Sequence, residues 1–504
     1  MMEAAELERY ENEIDAFGLD ATWRRVISGD DSYSVSLFEH AGEMYEYGLA
    51  HANKSAKKEL GKYYTPQDAA HFMSELLITR IEKSNIGCTE YYEPCVGVGD
   101  LLMELLSVME SHGMNVRDTI ANHLHIADID GTALAIAAER VRRAYGASPA
   151  SVEQMDFLLD GKNMGENDAV IMNPPYGRTT RYGDTSLKTS SIKDFYPMFI
   201  EKVIGAGCSV SVVPQSFIGS ESYSPLREAM SDSAGGTIYE YDNMPSCLFN
   251  GRKHGIFNTN RVNSTRAAII EAESGLSGTG YTVSPLIRWR AAERGRLFDA
   301  SRFAVAESRN VQSGDAPWRK LPDSLVSLFD SLSDSATIGD IASADGKFTL
   351  TVPASIRYYV TASFRDLSRS SKHVLRFDTE DAANAAYVAL NSNFAYAFWR
   401  AYDGGITITS SLLSRIPVPS VDASGDFIDS EIGKRIGKRA EELRVMEDSC
   451  VIVKMNAGKP NENIKFGDTV LAENTEIILP NATDTELQAM CDYRSPSLSW
   501  LLDS

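Results

Sequence analysis

The chain reads as an α/β protein built on a mostly parallel sheet, and three observations carry that reading. From about Lys62 to Ala272, short apolar runs alternate with amphipathic helical stretches, the pattern of repeated βαβ units. A turn holding Gly97 and Gly99 follows the first of those runs. The tetrapeptide Asn173-Pro174-Pro175-Tyr176 follows a later one. In open α/β sheets ligands sit at the carboxyl ends of strands, where both segments fall.

The elements follow in order. Residues 1–60 carry Leu7, Tyr10, Ile14 and Phe17 at three- and four-residue spacing, which predicts a helical extension. Strands are expected at 90–93, 125–128, 169–172, 209–213, 237–241 and 267–271, with helices at 99–110, 132–145 and 195–204. After about Tyr281 the pattern becomes mixed, with a Thr/Val run at 348–352 and a close at Ile416-Pro417-Val418-Pro419. This predicts an α+β domain over 281–420. A Glu/Lys/Arg-rich stretch at 426–448 reads as a surface helix within an acidic tail, 421–504.

Length and composition bound the function. A chain of 504 residues exceeds one core, so two to four domains are expected. At 43% hydrophobic and 24% charged it is an ordinary globular composition. No apolar run is long enough to span a bilayer, and the acidic start Met1-Met2-Glu3-Ala4-Ala5-Glu6 does not read as a secretory signal. Six scattered Cys with no C-x-x-C pair argue against a zinc site and fit a reducing cytoplasm. No metal is expected.

The net charge of −21 argues against a nucleic-acid partner, but its distribution argues the other way. Between Arg288 and Lys320 eight cations face four acids, with Trp289, Phe298 and Phe303 interleaved. A second stretch holds Arg357, Arg365, Arg369, Lys372, His373 and Arg376 against Asp366. Basic segments with interleaved aromatics suit a nucleic-acid groove, and equally an ordinary solvated surface.

The candidate site has two halves. In Tyr92-Glu93-Pro94-Cys95-Val96-Gly97-Val98-Gly99, the glycines allow a tight turn and a close approach to a ligand at a helix N-terminus. Glu93 at the strand end repels a pyrophosphate and welcomes a cationic, phosphate-free nucleoside, so S-adenosylmethionine fits better than NAD. Asp128, ending the second strand, can accept both ribose hydroxyls, with Asp130 capping the next helix. Asp156 can accept an adenine amino group while Phe157 covers the ring. In the other half, two prolines stop the strand and hold the chain extended. The Asn173 oxygen and the Pro174 carbonyl can accept both N–H bonds of a planar NH2 group, with Tyr176 stacked on its ring. A plain Pro-Pro turn is the ordinary alternative.

Together these segments resemble the N6-adenine DNA methyltransferase family in its γ-type motif order, from Gly61 to about Ala272. Gly61-Lys62-Tyr63-Tyr64-Thr65-Pro66 with Ala70 and Met73 resembles the upstream cofactor motif. Glu93-Pro94, Gly97, Gly99 and Leu102 resemble the glycine loop. Asp128-Ile129-Asp130 and Asp156-Phe157 resemble the ribose and adenine contacts. Asn173-Pro174-Pro175-Tyr176 resembles the catalytic loop, and Phe195–Lys202 with Val212-Val213-Pro214 the elements after it. Leu390-Asn391-Ser392-Asn393, Phe398-Trp399 and the run from Ser411 to Pro419 are similar to the end of a target-recognition domain.

The resemblance implies a Rossmann-like S-adenosylmethionine-dependent catalytic domain over 61–280 and a DNA target-recognition domain over 281–420. It implies catalysis by Asn173, Pro174, Pro175 and Tyr176. Cofactor contacts fall to Tyr64, Thr65, Glu93, Pro94, Gly97, Gly99, Asp128, Ile129, Asp156, Phe157 and Asn173. Tyr176 and Phe199 would hold the target base. The partners implied are double-stranded DNA and a separate endonuclease or specificity subunit, in a bacterial cytoplasmic restriction–modification or phage-defence setting. Phe249 and Phe257 are candidates for an extra base-pocket aromatic within a longer stretch, 249–262. The rival readings are N4-cytosine DNA methylation, methylation of rRNA guanine or of a protein glutamine amide, and a catalytically idle DNA-binding module.

Overall fold

The computed structural model describes residues 4–29, 37–38, 40–52, 65–84, 90–179, 181–182, 185–249, 266–356, 358–403, 407–456 and 459–502. The chain divides into two compact units. The first comprises Met1–Phe217, Glu221–Thr282 and Val311–Ala316; the second comprises Ile218–Ser220, Val283–Asn310 and Pro317–Ser504.

The first unit opens with helices α1 (Ala4–Phe17), α2 (Leu19–Ser28) and α3 (Ala41–Ala52). They close on Trp23, which is fully buried, meets Tyr10, Phe38 and Tyr45 edge-on, and donates its indole N–H to the Tyr10 hydroxyl (2.8 Å). The apolar spacing at Tyr10 and Ile14 is the face that packs here. Helix α4 (Gln67–Ser84) leads to the sheet.

The sheet holds β1 (Glu90–Glu93), β2 (Leu124–Asp128), β3 (Ser151–Gln154), β4 (Asp168–Met172), β5 (Cys208–Pro214), β6 (Gly235–Tyr241), β7 (Ala267–Glu273), β8 (Tyr281–Val283) and β9 (Val311–Gln312). Their order is β3-β2-β1-β4-β5-β7-β6-β8-β9. The first five are parallel, and β7 runs antiparallel between β5 and β6. Helices α5 (Asp100–Ser111), α6 (Val116–His123), α7 (Gly131–Tyr145), α8 (Phe195–Val203) and α9 (Ser224–Ser233) connect the strands. All five residues of β4 are buried, as a central parallel strand requires, which explains the apolar run from Ala169 to Met172. Chain order reverses between β1 and β4, so the crevice for a ligand falls outside their carboxyl ends.

The second unit is largely helical. It contains α10 (Leu297–Val305), α11 (Asp323–Ser331), α12 (Glu380–Leu390), α13 (Asn393–Tyr402), α14 (Ser430–Cys450), α15 (Asp468–Ile478) and α16 (Asp484–Asp492). Two antiparallel pairs join them, β10 (Phe348–Pro353) with β11 (Lys372–Phe377) and β12 (Val451–Asn456) with β13 (Lys459–Ile464). One apolar core runs from Leu286 to Tyr493 and holds residues on both sides of position 420. Helix α14 starts four residues later than the charge pattern suggests, because Asp429 accepts from the backbone N–H groups of Glu431 and Ile432 and caps it there.

Part of the basic groove expected from the sequence is interior. Arg288, Trp289 and Lys320 are buried. Arg288 donates to the Tyr396 hydroxyl (3.0 Å) and the Arg494 carbonyl (2.8 Å). Lys320 donates to the Asp403 carbonyl (2.5 Å) and pairs with its carboxylate at 3.6 Å. These cations are spent on protein partners, a distinction that one-dimensional charge counting does not carry. Among the described residues, no helix is long and apolar enough to cross a membrane.

Asn391 is a fastener of this unit. Its side chain donates to the carbonyls of Ala362 (3.0 Å) and Tyr387 (2.9 Å) and accepts from the Thr361 hydroxyl (3.0 Å) and the Ala362 N–H (3.1 Å). Asn391→Leu strips all four while keeping volume. The expected result is a loss of about 3 kcal/mol, read as a lower urea midpoint, since each buried polar group left unpaired costs about 1–3 kcal/mol. An unchanged midpoint would contradict the fastener role.

Candidate active site

A cavity of about 260 Å³ opens at the carboxyl ends of β1, β2 and β4. Its first wall is the turn after β1. Gly97 has φ +55° with open space where a Cβ would stand, and Gly99 has φ +85°. A Cβ at Gly99 would lie 3.1 Å from the Ala137 Cβ, so this glycine also lets α5 approach α7 closely. Both carboxylate oxygens of the buried Asp128 are engaged: Gly97 N–H donates to one and Asp130 N–H to the other, each at 2.8 Å. Asp130 then caps α7 through Thr132 N–H (3.1 Å) and Ala133 N–H (3.2 Å), as expected. Glu93 is buried, and its Oε2 finds no hydrogen-bond partner among the described residues. Burial, with Asp100 and Asp128 nearby, pushes the Glu93 carboxyl well above the ordinary range, only partly countered by Arg140.

A second wall follows β3. Phe157 stacks on Phe199 at 5.6 Å and 27°. Phe199 therefore stands beside Phe157 in the cavity lining. Behind Phe157 lies the Lys202 ammonium, 5.0 Å from the ring centre. One oxygen of Asp156 accepts from the Tyr182 hydroxyl (2.8 Å) and lies 3.4 Å from the Arg181 guanidinium. Burial and that carboxylate push the Tyr182 hydroxyl up to about 12.

The turn after β4 supplies the third wall. Asn173 and Pro175 line the cavity; Pro174 and Tyr176 are not among its lining residues. Asn173 Nδ2 donates to the Thr65 hydroxyl at 3.0 Å. The Tyr176 hydroxyl donates to the Val212 carbonyl (3.0 Å), and its ring meets Phe249 edge-on at 6.1 Å. Tyr64, Phe257 and residues 250–262 lie outside the described residues.

The lining thus brings together Thr65, Glu93, Pro94, Gly97, Asp128, Ile129, Asp156, Phe157, Asn173, Pro175 and Phe199 from the residues expected. Gly99 sits just behind, shaping the turn. Four lining residues from α3 (Gly42, Tyr45, Glu46 and Leu49) and the pair Arg181–Tyr182 were not foreseen. Their approach is tertiary, and the only local hint is the position of Arg181 and Tyr182 just downstream of the Asn-Pro-Pro-Tyr turn. Among the described residues, five carboxylates line the cavity (Glu46, Glu93, Asp100, Asp128 and Asp156), against the one cation Arg181. That balance, the orphaned Glu93 oxygen and the open space at Gly97 fit a cationic nucleoside and oppose a phosphate. Among the described residues, no group of His, Cys, Asp and Glu is arranged to hold a metal.

The family model for N-6 DNA Methylase matches residues 38–201. No curated protein sequence matches significantly. Among solved structures, the chain is similar to a modification subunit assigned to a type I restriction enzyme of Vibrio vulnificus YJ016. They share 15% identity over 59% of this chain and 67% of that one, with TM-score 0.41. It is similar to the DrdV protein of a DrdV–DNA complex (16% identity, 78% of this chain, 44% of that one, TM-score 0.43). It is also similar to a type I restriction-modification methyltransferase subunit from Streptococcus thermophilus (17% identity, 49% and 52%, TM-score 0.33). The chain spans less than half of the DrdV chain and about half of the Streptococcus subunit. Residues 38–201, the segment similar to the N-6 DNA Methylase family model, contain every lining residue of the cavity and the Asn-Pro-Pro-Tyr turn.

Proposed function

We propose that this protein transfers a methyl group from S-adenosylmethionine to N6 of an adenine flipped out of duplex DNA. The second unit reads the target sequence, and the reaction serves a bacterial restriction–modification or phage-defence system, with a separate endonuclease or specificity subunit as partner. The observation that carries the reading is the hydrogen bond from Asn173 Nδ2 to Thr65. An amide that donates to a threonine presents its oxygen elsewhere, and the Pro174 carbonyl follows it at the end of β4.

The cofactor, when bound, supplies a methyl group on a cationic sulfur. Asp128 accepts from its ribose hydroxyls, Asp156 from its adenine amino group, and Phe157 covers the ring. Phe199, stacked on Phe157, is assigned to the cofactor side rather than to the target base. Thr65, Pro94 and Ile129 complete the walls, and the turn through Gly97 and Gly99 allows close backbone approach. The target nitrogen is a weak nucleophile because its lone pair is delocalised into the ring. Accepting its two protons on the Asn173 oxygen and the Pro174 carbonyl favours a pyramidal nitrogen with a localised lone pair. Positive charge grows on that nitrogen, so both oxygens bind the transition state better than the ground state. Pro175 keeps the turn extended. Tyr176, tethered through its hydroxyl, offers a stacking face worth about 1–3 kcal/mol against the cost of flipping.

Removing the amide with Asn173→Ala is expected to lower methyl transfer to DNA by about 10²–10³, or about 2.7–4 kcal/mol, while cofactor still binds. Near-normal transfer would sink the assignment. Thr65→Val removes the acceptor that orients the amide. The single-turnover rate should fall about fivefold, the scale of one net hydrogen bond, with little change in cofactor affinity.

The raised Glu93 carboxyl predicts a pH signature. The folded state holds more protons than the unfolded chain from the ordinary carboxylate range upward, so the empty protein loses stability as pH rises through that window. A cationic ligand favours the ionised form, so binding should release a proton and tighten with rising pH. Calorimetry in buffers of different ionisation enthalpy measures that proton, and Glu93→Gln should abolish it.

A further inference from the structure

Helix α3 precedes every motif discussed above, yet four of its residues line the cavity: Gly42, Tyr45, Glu46 and Leu49. We propose that α3 is a wall of the cofactor site that selects a cationic, phosphate-free nucleoside. The inference rests on the cofactor reading given above and extends it to a part of the chain outside the catalytic motifs.

Three observations support it. The Tyr45 hydroxyl donates to Asp130 Oδ2 at 2.7 Å, which ties α3 to the residue two positions beyond Asp128. Asp130 itself caps α7, so the ribose-side acid, the cap and α3 form one hydrogen-bonded unit. The helix is also held rigidly from behind. Tyr10 donates to the Met44 carbonyl (3.1 Å), and a Cβ at Gly48 would stand 2.5 Å from Leu19 and 2.6 Å from the Tyr10 hydroxyl. The N-terminal helices are in turn fixed to α7 by Thr132 donating to Asp20 (2.9 Å) and by the Arg143 guanidinium lying 4.1 Å from the centre of the Phe38 ring.

A wall held on both sides can exclude water and discriminate. Glu46 adds a carboxylate on the α3 side to that of Asp128 at the end of β2, so a phosphorylated nucleoside meets repulsion from two directions. Leu49 supplies apolar surface.

The test is calorimetric titration of the 504-residue chain with S-adenosylmethionine, with thermal melting of each variant in parallel. Leu49 is half-buried, so Leu49→Trp can fill the cavity without emptying the core behind it. It should weaken binding at least tenfold at an unchanged melting temperature. Glu46→Gln should weaken binding severalfold and reduce its salt dependence. Wild-type affinity in both variants would overturn the proposal and leave α3 a scaffold. Failure of the wild-type protein to bind S-adenosylmethionine at all would instead overturn the cofactor reading on which the proposal rests.

Discussion

The site depends on one carboxylate. Asp128 holds the backbone N–H of Gly97 on one oxygen and that of Asp130 on the other. Those bonds join the turn after β1 to the turn after β2, which have no covalent reason to lie together. Hydrogen bonds to an ionised group are about twice as strong as neutral ones, and here they are buried, where an unpaired charge is costly. Gly97 is thereby held in its left-handed conformation, and the N-terminus of α7 is brought to the cavity by the Asp130 cap. Tyr45 then attaches α3 to the same cap.

The other side of the cavity is organised by β4. Its burial on both faces fixes where the strand ends, and the two prolines keep the next residues from curling into a helix. Asn173 is therefore delivered to a set position, and Thr65, from a segment over a hundred residues earlier, sets the rotation of its amide. In the proposed reaction these polar groups would act by being already oriented. The same cavity lining joins Asn173 to the acids that suit a cationic nucleoside.

Much of this was legible in the residues. Six of the nine strands in the sheet announced themselves as short apolar runs, and the helix start at Asp130 as a side-chain cap, because both signals are local; the short strands β3, β8 and β9 and the cap at Asp429 were not read. The acids at the ends of β1 and β2 and the Asn-Pro-Pro-Tyr turn were legible as strand ends for the same reason: strand end and turn lie within a few residues. What could not be read was tertiary. Nothing around Tyr45 signals that its hydroxyl meets Asp130, eighty-five residues on. Arg181 and Tyr182 look like loop residues until Asp156 is placed beside them. Arg288 and Lys320 look like surface charges, because burial of a cation depends on carbonyls brought from distant helices. The stacking of Phe199 on Phe157 joins α8 to the turn after β3 and has no local signal either.

The most direct test is transfer of a labelled methyl group from S-adenosylmethionine to duplex DNA by the intact chain, with the modified nucleoside identified by mass spectrometry. The account predicts N6-methyladenine at discrete sites. Label appearing on cytosine, or on RNA or protein in place of DNA, would contradict it.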